Sequence, residues 1–142
     1  MNGNSDFHTL KGYAMMEDTG ITYAMEDYLE MICRMSGDFI RIKELSAKLN
    51  VTPSAASKMS DILRKQGLIN YEKYGYITLT PKGQHLGAFL LRRHDIVHRM
   101  LCIVNGSSNE LEETEKIEHY LSPRTVVNME KFIAGYDRMK EK

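Results

Sequence analysis

Ile42-Lys-Glu-Leu-Ser-Ala-Lys-Leu49, Asn50-Val-Thr-Pro53 and Ser54-Ala-Ala-Ser-Lys-Met-Ser-Asp-Ile-Leu-Arg-Lys-Gln66 read as two short helices joined by a tight turn. Thr52 can cap the second helix, Pro53 suits its first position, and Gly67 ends it. The next stretch, Leu68-Ile-Asn-Tyr-Glu-Lys-Tyr-Gly-Tyr-Ile-Thr-Leu79, is rich in strand formers and carries Gly75 where a hairpin would turn. Helix, turn, helix and hairpin in that order predict a winged helix-turn-helix.

Upstream, Met25, Tyr28, Leu29, Ile32 and Met35 recur at helical spacing from Tyr23 to about Ser36, where Gly37 ends the run. Downstream, Pro81 opens a long helix to about Val104, with Leu86, Leu90, Val97, Leu101 and Val104 in one apolar stripe that also holds His94. Asn105-Gly106 breaks it. A helix from about Asn109 to Leu121 follows, then a last one from Pro123 to about Met139, packing through Val127, Phe132 and Tyr136. The expected fold is mainly α, with residues 1–22 as an N-terminal extension, 23–80 as a winged helix-turn-helix domain and 81–142 as a helical metal-binding and dimerisation domain.

The net charge of zero conceals a segregation. Ile40 to Arg93 holds ten basic side chains against three acidic, whereas the first 39 residues hold two basic against seven acidic. A basic centre suits contact with phosphate and acidic flanks suit cations. The second helix of the motif would lie in the major groove with Ser54, Ala55, Ala56, Ser57 and Lys58 near base edges. Thr52, Arg64, Lys73 and Tyr74 complete the expected DNA-contacting set, with the basic side chains on phosphate. No apolar run is long enough to cross a membrane, and no secretory signal pattern opens the chain, so a cytoplasmic protein is expected. Cys33 and Cys102 are too few for a disulfide framework and read as reduced core residues.

Two acidic segments offer candidate metal ligands, although acidic pairs at helical spacing are ordinarily solvated faces. Asp27 and Glu30 are three residues apart on the first helix, and Glu115, Glu118 and His119 share a face late in the chain. Glu115 and Glu118 lie in register with Leu111, a position a helix normally turns inward, where unpaired carboxylates are costly and a cation would remove the cost. Carboxylates with imidazoles and no thiol suit divalent ions such as manganese or iron.

Six separated segments carry a resemblance over about Ala24 to Met139: Met25-Glu-Asp-Tyr-Leu-Glu30, Val51-Thr-Pro-Ser54 with Lys58-Met59, Tyr71-Glu-Lys-Tyr74, Leu79-Thr-Pro-Lys-Gly83, Arg93-His94 and Ile117-Glu-His119. Together they resemble the manganese transport regulator branch of the diphtheria toxin repressor family. The resemblance implies a non-enzymatic, homodimeric repressor of metal-uptake genes that binds a palindromic double-stranded DNA operator when loaded with metal. It further implies a site for two manganese ions per subunit, or iron(II), formed by Asp27, Glu30, His94, Glu115, Glu118 and His119, with Glu115 and Glu118 as the bridging carboxylates. Rival readings keep the DNA binding but make iron or a small organic ligand the effector, or take the acids as a di-metal enzyme centre. Against the enzyme, no paired Glu-x-x-His motif accompanies the acids.

Overall fold

The computed structural model describes residues 20–37, 39–72 and 75–141. Most of the N-terminal extension and the wing residues Lys73 and Tyr74 lie outside them. The elements in chain order are α1 (Tyr23–Arg34), α2 (Ile42–Leu49), α3 (Pro53–Lys65), β1 (Ile69–Tyr71), β2 (Ile77–Leu79), α4 (Pro81–Asn105), α5 (Leu111–Ile117), a 3₁₀ turn (Glu118–Tyr120) and α6 (Pro123–Lys140).

Each helix boundary has a chemical cause. Thr22 caps α1 by accepting the Met25 N–H at 3.1 Å, and Thr52, Thr80 and Ser122 cap α3, α4 and α6, each just before a proline at the first helical position. The turn of the helix-turn-helix is Asn50-Val51-Thr52, where Asn50 adopts the left-handed conformation at φ 55°. Asparagine tolerates that region because its short polar side chain bonds locally. Antiparallel β1 and β2 pair Ile69 with Leu79 and Tyr71 with Ile77, and Ile40 adds a bridge to Ile77.

One core serves the DNA-reading half. Met25, Tyr28, Leu29 and Ile32 of α1 meet Leu45, Ala56, Leu63, Leu68, Ile69, Ile77 and Leu90, all buried. Each large aliphatic here stabilises the fold by about 1.5–3 kcal/mol. Because Leu90 belongs to α4, this core also anchors the long helix that runs on into the second half, where α6 packs against it. Cys102 is buried and Cys33 only half-buried; both are free thiols.

The downstream helices differ from expectation in their inward faces. On α4 the buried series is Gly83, Gly87, Leu90, Arg93, Ile96, Val97 and Cys102, while Val104 is exposed, since the helix end projects beyond its neighbours toward the turn at Gly106. On α6 the inward residue is Val126, one position before the expected Val127, and Phe132 is exposed. The helix expected over 109–121 is regular only to Ile117 and then tightens into the 3₁₀ turn. Pro123 disfavours the helical conformation at Ser122, which is extended at ψ 156° and caps the next helix, so this segment cannot run on through it.

Glycine at 83 lets α4 approach the hairpin. A Cβ there would stand 1.9 Å from the Leu68 carbonyl oxygen. Gly→Ala inside a helix ordinarily stabilises by roughly 0.5–1 kcal/mol. Gly83→Ala is instead expected to destabilise by about 1–3 kcal/mol through overpacking, measured as a lower midpoint in urea denaturation.

Candidate metal centre and nucleic-acid interface

Glu118, the first residue of the 3₁₀ turn, is 2% exposed. A carboxylate so buried requires compensation, and the folded chain surrounds it with nitrogen and oxygen donors. Asp27, Glu118 and His119 can bring one donor atom each within 4.8 Å of one another, and so can Glu30, His94 and Glu118. The two triads share Glu118. Asp27 and Glu30 come from α1, His94 from α4, and Glu118 and His119 from the 3₁₀ turn.

The contacts are short. His94 Nδ1 lies 2.8 Å from Glu118 Oε2 and 3.9 Å from Glu30 Oε2. His119 Nε2 lies 3.0 Å from Asp27 Oδ1, and its Nδ1 lies 2.8 Å from Glu26 Oε1. With an oxygen acceptor at each nitrogen, His119 is held as the doubly protonated imidazolium. Burial works against that charge, but the hydrogen bonds with Asp27 and Glu26 outweigh it and raise the imidazole to about 9. The hydrogen bond to Glu118 likewise raises His94 against the opposing effect of burial. Burial first, then the neighbouring Glu118 charge, raises Glu30. Acids gathered in this way repel one another, and a divalent cation among them would relieve both burial and repulsion. The donor set of oxygen and imidazole fits a cation of intermediate hardness.

Five of the six residues expected at the metal site therefore converge. Glu115 does not. It is exposed, as is Leu111, and the inward pair of α5 is Thr114 with Glu118, one helical turn apart. Thr114 settles its own burial by donating to the Glu110 carbonyl at 2.7 Å. The expected inward stripe of Leu111, Glu115 and Glu118 is corrected to this pair.

Two residues outside the expected set border the site. Glu26 bonds His119, and Arg93, 3% exposed, donates from Nη2 to Glu26 Oε1 at 3.2 Å. The signal for Arg93 was its position in the α4 series, three residues after Leu90 and four before Val97; Glu26 could have been suspected only as the neighbour of Asp27.

In the DNA-binding half, α3 presents Ser54, Ala55 and Lys58 to solvent, with Ser57 half-buried. Thr52 is exposed, but its hydroxyl accepts the Ala55 N–H at 3.1 Å as the helix cap. Ala56 is fully buried in the core, which removes it from the expected base-reading set. Arg64 is exposed and bonded to Asp61 at 2.7 Å, and this contact holds the Asp61 carboxyl below its usual range. Lys73 and Tyr74 fall outside the described residues.

Two family models match the chain in succession. Residues 21–77 match the family model described as iron dependent repressor, N-terminal DNA binding domain. Residues 80–139 match that of the iron dependent repressor metal binding and dimerisation domain. The chain is 36% identical over 104 residues to the HTH-type transcriptional regulator MntR of Lysinibacillus sphaericus, covering 71% of this chain and 75% of that protein. Its identity to the protein of the same name from Listeria welshimeri is 38% over 104 residues, covering 71% of this chain and 73% of that one. Among solved structures, the manganese regulator SloR superposes with a TM-score of 0.68 at 31% identity, covering 78% of this chain and 53% of that one. A manganese-dependent transcriptional repressor in complex with manganese superposes with a TM-score of 0.71 at 28% identity, covering 78% and 52%. The chain thus spans about half the length of these solved relatives.

His119 fixes the sign of a pH effect. Because its folded value is raised from 6.5 to about 9, its stabilising contribution is complete below about 6.5 and is lost as pH rises through about 9. In chelator-treated protein the thermal midpoint is expected to fall across that window, and His119→Gln should flatten the fall; differential scanning calorimetry of both proteins from pH 6 to 9.5 measures it.

Proposed function

The chain belongs to the iron-dependent repressor family, and from that premise we propose that it is a manganese-dependent transcriptional repressor that grips a palindromic operator as a homodimer when metal is bound. It is a regulator and not an enzyme. The observation that carries the reading is the sharing of Glu118 between two donor triads whose other members come from different halves of the chain.

In this reading Asp27, Glu118 and His119 hold one manganese ion, and Glu30, His94 and Glu118 hold a second. The bound ions supply positive charge that offsets the clustered carboxylates. Glu115, exposed one helical turn before His119, enters the ligand set on the family resemblance. Manganese is favoured over softer ions by the absence of sulfur from both triads and by the likeness to a solved manganese-dependent repressor. Iron, named in the family descriptions, is the competing effector, and a parallel anaerobic titration with iron(II) distinguishes it.

The linkage is mechanical. α1 contributes its apolar face to the DNA-reading core and Asp27 and Glu30 to the triads, so tying those acids to His94 and Glu118 fixes α1 against α4. The recognition helix α3 packs on the same core through Ala56 and Leu63, and its position follows that of α1. Residues 23–80 then act as the reading half and 81–142 as the metal-binding and dimerising half. Two-fold symmetry sets the operator half-sites about one helical turn, or a multiple of it, apart.

Fluorescence anisotropy with an operator fragment tests this directly. Manganese is expected to tighten wild-type binding by about 5–150-fold, the range of common allosteric couplings, where calcium has no effect. Glu118→Ala should lose that response, and a variant that keeps it contradicts the linkage. Lys58→Ala should weaken binding evenly across sequences and reduce the salt dependence by about 0.9 in the log–log slope, the contribution of one phosphate contact.

A further inference from the structure

His119 is constrained on more sides than a simple ligand needs. Its Nε2 points toward Asp27 and the first triad, while its Nδ1 is 2.8 Å from an oxygen of Glu26, a residue that belongs to neither triad. Tyr23 stacks on the imidazole with centroids 5.3 Å apart and planes 23° from parallel. Behind Glu26 stands Arg93 of α4, whose Nη2 donates to the same Glu26 Oε1 at 3.2 Å. Arg93 Nη2 also lies 3.2 Å from His119 Nδ1. Two N–H groups converging on one carboxylate oxygen account for that closeness, with no bond between the donors.

We propose that Glu26 and Arg93 are positioning residues of the metal centre: the Glu26 carboxylate, anchored by Arg93, accepts the Nδ1–H of His119 and thereby presents Nε2 as the atom that meets the cation. This rests on the reading of Asp27, Glu118 and His119 as a metal site. A histidine that ligates through one nitrogen needs its other N–H satisfied, and a carboxylate in that role fixes the tautomer, orients the ring and makes the ligating nitrogen more basic. Glu26 is 17% exposed at its side chain and Arg93 3%, so the pair is sheltered from competition by water. Arg93 also decides which acid performs this task. Its guanidinium holds Glu26 on the Nδ1 edge of the ring, and Glu26 is thereby kept from joining Asp27 as a ligand on the Nε2 edge.

The pair also joins the two halves of the chain. Glu26 is in α1 and Arg93 in α4, 67 residues apart. Their contact sets α1 against α4 near the geometry that the triads require, before any cation contributes.

The test uses the full chain loaded with cadmium, a diamagnetic probe that allows nitrogen NMR. The chain has five histidines, and His119→Gln identifies the signal of interest. Long-range proton–nitrogen correlation is expected to find His119 protonated at Nδ1 with cadmium coupling at Nε2; coupling at Nδ1 overturns the proposal, and this arm needs no variant of the pair. In calorimetric titration of manganese, Glu26→Gln is expected to lower affinity by about 10–100-fold with the number of ions bound unchanged, as for other residues that support a ligating histidine. Arg93→Met should produce a similar loss and Arg93→Lys a smaller one. Loss of a whole ion in Glu26→Gln makes Glu26 a ligand and overturns the proposal, as does wild-type affinity in that variant. Failure of the wild-type chain to bind manganese overturns the metal-site reading itself.

Discussion

A buried carboxylate is the constraint on which this molecule turns. Glu118 has almost no exposure, and its nearest titratable neighbours include the acids Asp27 and Glu30 as well as His94 and His119. No aliphatic packing compensates a charge in such a position; only opposite charge and hydrogen bonds do. Glu118 turns inward one helical turn after Thr114, the acids opposite it lie on the polar flank of α1, and His94 reaches it from α4. Three elements far apart in sequence are therefore held together at one ionic centre.

That centre explains how a metal-responsive site and a DNA-reading surface share so small a chain. α1 is a two-faced helix: Met25, Tyr28, Leu29 and Ile32 build the core on which α3 rests, while Glu26, Asp27 and Glu30 face the second half. In the proposed reading, a change in how the acids are satisfied would change how α1 is held, and α3 is linked to it through the core they share. On α3, Ser54, Ala55 and Lys58 are exposed, and the proposed coupling from the acids to DNA runs through the shared core.

Much of this was legible from residue order. The capping threonines, the prolines at first helical positions and the alternation around Gly75 marked the winged helix-turn-helix because each acts locally. The apolar face of α1 was equally plain, since its period is unbroken. Sequence reading failed where tertiary contact decides which face turns inward. On α6 Val126 faces inward in place of Val127, set by its packing against α4, and on α5 Thr114 with Glu118 replaces the stripe through Leu111 and Glu115, because so short a segment has no sustained apolar pattern of its own. Ala56 was read as a base contact from its neighbours in sequence, yet helical geometry puts it on the core side of α3. Arg93 illustrates the hardest case: an arginine in an apolar series looks like an exception until Glu26, distant in the chain, is placed beside it.

Anomalous X-ray diffraction from crystals of the full chain grown with manganese would test the central claim most directly. The account predicts two anomalous peaks flanking the Glu118 carboxylate, one in contact with Asp27 and His119 and the other with Glu30 and His94. A single peak away from Glu118, or manganese bound at neither triad, would contradict it.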